Sequence, residues 1–275
     1  MSDDSKTPPR GKAWHDRREV RTTATPQQAW EAWAKPEIIA GWFADRATGT
    51  PEAGSTITHI FEGFGMEVPY TVVEAIPGEK IIFDGAGPGG RPFRQEIHIK
   101  RDGGETVLEL VHSGFEQGEG WEGEFEGMDS GWAMALAILR HYLEHYFGRP
   151  KLGVMSLRPA AFEFARADEL FRSREGLTAW LTTGEGEIGE VGTEVALALR
   201  NGHRVTGEVL AWSGREVLVT WPEIEGTLEL KAFAMPTGTM VGLRVFSWAK
   251  QPPAPEALQS FADTAAEALA SHLAR

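Results

Sequence analysis

The chain of 275 residues contains no cysteine. That absence excludes a disulfide scaffold, thiolate metal sites and a cysteine nucleophile together. Basic runs are missing too: 27 Lys and Arg stand against 40 Asp and Glu, a net charge of −13. Residues 1–150 hold 15 basic and 24 acidic side chains, and residues 151–275 hold 12 and 16. A surface of that sign repels phosphate backbones at long range, so nucleic acid is not an expected partner. No stretch approaches the ~18 apolar residues a membrane span requires. Met1 to Arg18 carries charge and two prolines but no apolar core, so it is no secretion signal. The expectation is a soluble, cytoplasmic protein without a membrane partner.

What the chain does have is a repeat. Trp33, Ile39, Trp42, Phe43 and Gly54 recur 138 positions later as Phe171, Leu177, Trp180, Leu181 and Gly192. Val73, Gly78, Ile81 and Phe83 recur 136 positions later as Val209, Gly214, Val217 and Val219. So small a slip points to duplication with a short deletion in a surface loop. The length, at ~150 residues per domain, agrees with two domains, each large enough to bury its own core.

Within the first copy, residues 1–18 read as a polar, disordered tail. A short strand is expected over Glu19–Thr25. Thr25-Pro26 then starts a helix, ended by Pro36, and a second short helix follows over Glu37–Trp42. Short alternating runs occupy Thr56–Phe61, Tyr70–Ile76, Lys80–Asp84, Arg94–Lys100 and Thr106–His112, separated by Pro-Gly and Gly-rich turns. Successive strands on tight turns imply an antiparallel sheet. Trp132, Leu136, Leu139, Leu143 and Tyr146 form one stripe of a long helix stopped by Gly148 and Pro150. Lys151–Pro159 reads as a linker. The second copy repeats the plan, with a helix around Asp168–Leu181, strands from Glu194 to Trp248 and a last helix striped by Leu258, Phe261, Ala265, Leu269 and Leu273. A helix crossing a strongly curved sheet cannot seal along its whole length, which leaves room for an apolar ligand.

Four pieces in order then resemble a known family: Ala29-Trp30-Glu31-Ala32-Trp33, Pro36-Glu37-Ile38-Ile39-Ala40-Gly41-Trp42-Phe43, Leu108 to Phe115, and Gly131-Trp132. Over residues 18–148 the chain resembles the bacterial Hsp90-ATPase-activator-like (AHSA1-like) branch of the START/Bet v 1 (SRPBCC) superfamily. The resemblance implies an α+β fold of two tandem helix-grip domains, each a curved antiparallel sheet wrapped on a long C-terminal helix. The domains would be 19–150 and a degenerate 160–275, after the tail 1–18 and with the linker 151–159 between them. Members of the superfamily bind lipids, hormones or polyketides, and a few relatives are cyclases.

The ligand site implied for the first domain comprises Trp42, Phe43, Phe61, Phe83, Leu108, Leu110, His112, Phe115, Trp121, Trp132 and Leu136. His112 shares a strand face with Leu108 and Leu110. A histidine there orients a ligand oxygen or acts as a general base, or else is a core residue bonded to backbone. In the second copy Ser247 stands in its place. His141 and His145 have a helical zinc spacing, but they lie about 180° and 220° round the helix from Trp132 and lack a third ligand, so a solvated or domain-facing pair is expected. Gly118, Gly120, Gly123 and Gly184, Gly186, Gly189 both match G-x-G-x-x-G. Glutamates within each match would repel a pyrophosphate, and the antiparallel setting is wrong for a dinucleotide site. Glu116–Asp129 reads as an acidic, Gly-rich loop, either solvated or a lid carrying Trp121 and Phe125. No cofactor, metal or catalytic residue is expected. Binding of a small hydrophobic molecule is the leading function, with a chaperone-linked interaction module and a cyclase- or hydrolase-type enzyme as alternatives.

Overall fold

A Thr25 capping box opens the helical part of the first copy. Its side chain accepts from the Gln28 amide, Gln28 reaches back to the Thr25 N–H, and Pro26 occupies the first turn. In the computed structural model, residues 14–86, 90, 92–115, 121–235 and 238–274 are described; for 14, 15, 114, 115 and 121–130 only the backbone is. The chain divides into two units, Met1–Glu122 with Ile138–Pro150, and Gly123–Ala137 with Lys151–Arg275.

The first unit runs β1 (Trp14–Thr22), α1 (Pro26–Ala34), α2 (Pro36–Trp42), β2 (Arg46–Gly49), β3 (Thr56–Phe61), β4 (Met66–Ile76), β5 (Lys80–Ala86), β6 (Pro92–Asp102) and β7 (Glu105–Phe115), and the chain continues into α3 (Trp121–His145). Among the described residues, seven strands form one antiparallel sheet in the order β1-β7-β6-β5-β4-β3-β2. The first strand thus closes on the last, and the hairpins between follow chain order. One face carries Val20, Ile57, Ile81, Phe83, Ile97, Leu108 and Leu110, all buried. Period-two alternation places these side chains together, while Arg17, Glu19 and Arg21 of β1 point to the other side. In α3 the expected stripe is realised by Leu136, Leu139 and Leu143, joined by Met134, Ile138 and Tyr142. Tyr142 fixes the helix end: its hydroxyl accepts from the Gly148 N–H, and a Cβ on Gly41 of α2 would lie 2.4 Å from it.

The second unit runs β8 (Leu152–Ala160), α4 (Ala167–Arg172), α5 (Arg174–Trp180), β9 (Glu194–Ala198), β10 (Arg204–Trp212), β11 (Glu216–Trp221), β12 (Gly226–Met235), β13 (Gly238–Ser247) and α6 (Pro255–Leu273). Its described strands order as β8-β13-β12-β11-β10-β9, again antiparallel. Leu258, Phe261, Ala265 and Leu269 of α6 enter a core with Val217, Val219, Leu228, Leu230, Leu243 and Val245.

The duplication is visible in individual bonds. Trp42 Nε1 donates to Ala32 O at 2.7 Å, and Trp180 Nε1 donates to Leu170 O at 3.3 Å, each residue 138 positions from its twin. Gly54 (φ 86°) donates to Val72 O and Gly192 (φ 85°) to Val209 O, both at 2.8 Å. Val72, not Val73, is therefore the twin of Val209. A bulge follows Val72 in β4 and Val209 in β10 alike, so the offset falls by single steps in the turns before and after that strand.

Several boundaries differ from the sequence reading. β1 begins at Trp14, inside the expected tail, because it pairs with β7 at the sheet edge. The expected linker is strand β8, paired with β13 along its length. As an edge strand it tolerates Pro159, the residue that masks it in the sequence. The helix expected over 168–181 is two helices, broken at Ser173, which caps α5. α3 already includes Trp121–Asp129, where a loop was expected. Gly123, Gly127 and Gly131 each lower helix propensity by ~1 kcal/mol, enough to hide it from a local reading.

Candidate ligand site on the first sheet

Strand register brings one polar row to the buried face of the first sheet. Asp16 pairs with His112, and His112 with Gln95. His112 and Gln95 are almost wholly buried. Gln95 Nε2 lies 3.2 Å from His112 Nε2, and His112 Nδ1 faces an Asp16 carboxylate oxygen at 3.7 Å. With the Gln95 amide donating, Nε2 is the acceptor and the ring proton sits on Nδ1, toward Asp16. Arg18 Nε donates to the same Asp16 oxygen at 2.8 Å. Burial raises the Asp16 pKa, but bonds from His112 and Arg18 outweigh it and hold the carboxyl below its usual range. Burial lowers the His112 pKa, and Asp16 offsets only part of this, so the ring is neutral at pH 7. An acid–imidazole pair of this kind resembles a general base, yet the nitrogen that would take the proton is already held by Gln95. The arrangement orients a neutral, hydrogen-bonding ring.

A second group lies across the same face on β3 and β4. Ile57 and Tyr70 are cross-strand neighbours, as are His59 with Val68 and Phe61 with Met66. Exposure rises along that ladder: Ile57 is fully buried, His59 is 4% exposed, Phe61 is half-buried and Met66 is 50% exposed. Phe43, following α2, sets its ring 5.6 Å from His59 and 5.5 Å from Phe61, edge to face in both cases. Tyr70 lies 4.9 Å from His59 on another side. Gly85 makes room for Tyr70, since a Cβ there would come within 2.9 Å of its ring. Burial pushes the Tyr70 phenol up to about 12 and the His59 imidazole down to about 4.

The residues singled out from the sequence divide accordingly. Phe83, Leu108, Leu110, His112 and Leu136 are buried, the first four on the inner face of the sheet and Leu136 on α3. Phe43, Phe61 and Trp132 are half-buried. Trp42 is core: its indole edge meets Trp33 at 5.2 Å and its N–H is committed to Ala32. The side chains of Phe115, Trp121 and Phe125 lie outside the described residues. Asp16, Gln95 and His59 were missed. The alternation Ile57-x-His59-x-Phe61 was the available signal for His59, and Leu197 at the 138-residue offset was a second.

The decoys have structural explanations. Gly184 and Gly186 adopt positive φ in the segment between α5 and β9, and a Cβ on Gly186 would meet Ala196 O at 2.1 Å. Those glycines serve turn geometry and close packing in an antiparallel setting. In the other match Gly123 lies in α3, and Gly118 and Gly120 are outside the described residues. The rings of His141 and His145 lie 4.8 Å apart with their planes inclined at 55°, and burial, aided by His145, lowers the His141 pKa to about 4. Among the described residues no three His, Asp or Glu side chains gather as a metal site, and no helix is long and apolar enough to cross a membrane. An open groove of about 630 Å³ lies in the second unit between the start of β8 and α6, lined by Leu152, Val154, Pro255, Gln259 and Asp263 among others.

Comparison with known proteins places the first unit. Residues 23–144 match the family model described as Activator of Hsp90 ATPase homolog 1-like protein. No curated protein matches the chain. Among solved structures, the Aha1 dimer from Colwellia psychrerythraea is similar at 19% identity and TM-score 0.42, over 48% of this chain and 96% of that one. Protein BH1534 from Bacillus halodurans is similar at 26% identity and TM-score 0.40, over 46% and 95%. DynU16, from the dynemicin biosynthetic locus, is similar at 17% identity and TM-score 0.43, over 94% and 97%. With its helix pair, antiparallel sheet and long closing helix, the segment 23–144 is thus similar to the Activator of Hsp90 ATPase homolog 1-like family.

Proposed function

We propose that the first unit binds a small hydrophobic molecule on the inner face of its sheet, with the second unit a degenerate copy lacking that site. One contrast carries the reading. By strand register the row Asp16–His112–Gln95 of the first sheet is matched in the second by Val154–Val245–Leu228, all buried in the apolar core. Ser247, which the sequence alone sets in the place of His112, stands two residues further along β13, and its hydroxyl is used to bond Ile224 O at 2.6 Å. A buried polar row costs stability unless satisfied, and the second copy shows the fold does not need it. Retention in one copy therefore favours a ligand that uses it.

The test is native mass spectrometry of freshly purified protein beside the same sample denatured, with titration of an apolar fluorophore into parent and Leu110→Trp. Leu110 is fully buried beside His112's row, so the larger ring would fill ligand space. Expected is a mass lost on denaturation, or saturable fluorophore binding weakened at least tenfold by the substitution. A folded Leu110→Trp binding as well as the parent would remove the assignment. A chaperone contact is the second reading, favoured by the family description; pull-down against a bacterial Hsp90, with its ATPase rate, tests it. Catalysis is the third, and an unchanged pH–rate profile in His112→Ala would exclude His112 as its base.

A further inference from the structure

His59 is an anomaly that neither packing nor hydrogen bonding among the described residues explains. Both its ring nitrogens are buried and, among the described residues, have no hydrogen-bond partner. A buried polar atom left in that state costs ~1–3 kcal/mol, so native chains keep few of them without a reason. The chain supplies its own control. The twin of β3 is β9, where Val195 takes the place of Ile57 and Leu197 that of His59, and Leu197 is fully buried in the apolar core. A leucine therefore suits this slot in the fold. The imidazole occupies it in the copy that also keeps the polar row.

Its surroundings resemble a small aromatic well. Phe43 and Tyr70 flank the ring, and Phe61 continues the wall. One step outward on the β3–β4 ladder stand Phe61 and Met66, and Phe64 in the turn between is 45% exposed. An exposed Met and Phe at the rim offer an adaptable apolar contact for a planar guest.

We propose that His59 is the specificity-determining anchor of this site, selecting a neutral aromatic guest that carries a hydroxyl group. The inference rests on the binding reading above and deepens it. Hydrogen bonding decides the class. A neutral imidazole has one lone-pair nitrogen and one N–H, which match a hydroxyl as donor or as acceptor. A carboxylate guest is disfavoured because burial keeps His59 uncharged at neutral pH, and among the described residues no cationic side chain acts on it to replace the lost hydration. A guest without oxygen would leave both nitrogens as they are.

The test uses the full chain with 2-naphthol, naphthalene and 2-naphthoate as probes. Binding is followed by titration and by the histidine ring ¹⁵N signals, with His59 identified from its loss in His59→Gln. Expected is saturable 2-naphthol binding that moves the His59 ring nitrogens, weakens at least tenfold in His59→Leu and recovers in part in His59→Gln. Naphthalene should bind more weakly and be indifferent to the substitution. If 2-naphthol binds His59→Leu as it binds the parent and leaves the ring signals unmoved, His59 is satisfied by trapped water and the anchor is overturned, while the binding reading stands. If 2-naphthoate binds as tightly as 2-naphthol, the preference for a neutral guest falls. If none of the three binds the parent, both readings fall. The ring signals of the parent keep the test valid even where a variant folds poorly.

Discussion

His59 contributes to stability in a direction opposite to most buried residues. Its folded pKa of about 4 lies below the ordinary 6.5, so the unfolded chain takes up the proton first as pH falls. Stability is complete above pH ~7 and drains away between pH ~6.5 and ~4, by up to ~3 kcal/mol for this one group. His141, whose value is also lowered to about 4, acts in the same sense. Urea unfolding at pH 7 and pH 4.5 should show the loss, and His59→Leu should reduce it. The same substitution should raise stability at pH 7 by ~1–3 kcal/mol, because it removes two unsatisfied nitrogens from a slot a leucine fills in the other copy. A variant less stable than the parent at pH 7 would show that the imidazole is held by an interaction absent from this account. Together with the guest titration, this would make His59 a residue kept at a cost in stability.

Among the elements, the β11–β13 region of the second sheet carries a buried charge quartet. Glu229, 1% exposed, receives Arg244 Nε at 2.6 Å and Lys231 Nζ at 3.1 Å, and Lys231 also lies 3.4 Å from Glu216. Burial opposes ionisation of Glu229, but Arg244 and Lys231 overcome it and hold its pKa below the usual range. Glu216, one of whose oxygens has no partner among the described residues, is pushed up by burial. Lys231→Met should leave the carboxylates undercompensated and destabilise by ~3–5 kcal/mol in urea unfolding, whereas a loss below ~1 kcal/mol would mean the pair is screened by water. At the α2–α3 junction, Gly41→Val should also destabilise, by ~1–3 kcal/mol. Its side chain would collide with the Tyr142 hydroxyl and Arg149 O, 2.4 and 3.2 Å from a Cβ; an unchanged denaturation midpoint would show that Tyr142 moves aside without cost.

At the scale of the whole molecule, two copies of one plan have been used differently, and exchange between them is the sharpest check. Leu197→His in the second copy should cost ~2–5 kcal/mol, since it removes core volume and buries an imidazole among Val195, Val205 and Trp221 of the same apolar core. Expected alongside it is no gain of 2-naphthol binding, because Val154, Val245 and Leu228 stand where the first copy has its polar row. A variant as stable as the parent would mean that this slot accepts a histidine in either copy, and the argument from the twin would fail.

Much of this plan was legible in the chain itself. The repeat, the Thr25 cap, the α3 and α6 stripes and the inner face of β7 are written in local spacing, because helical and strand periods are properties of the backbone alone. Strands β1 and β8 were lost or shortened in the reading because their edge pairing depends on partners far along the chain, β7 and β13, and the four residues of β2 are too few to show a period. The site was legible by half. His112 follows from alternation with Leu108 and Leu110, whereas Asp16 and Gln95 reach it only through register across 96 and 17 positions. Composition determined the polarity of the molecule, and periodicity determined its elements and their duplication. Which polar side chains meet, and which of two equivalent core slots holds an unsatisfied histidine, only tertiary structure decided, because burial and partnership arise when distant strands pair.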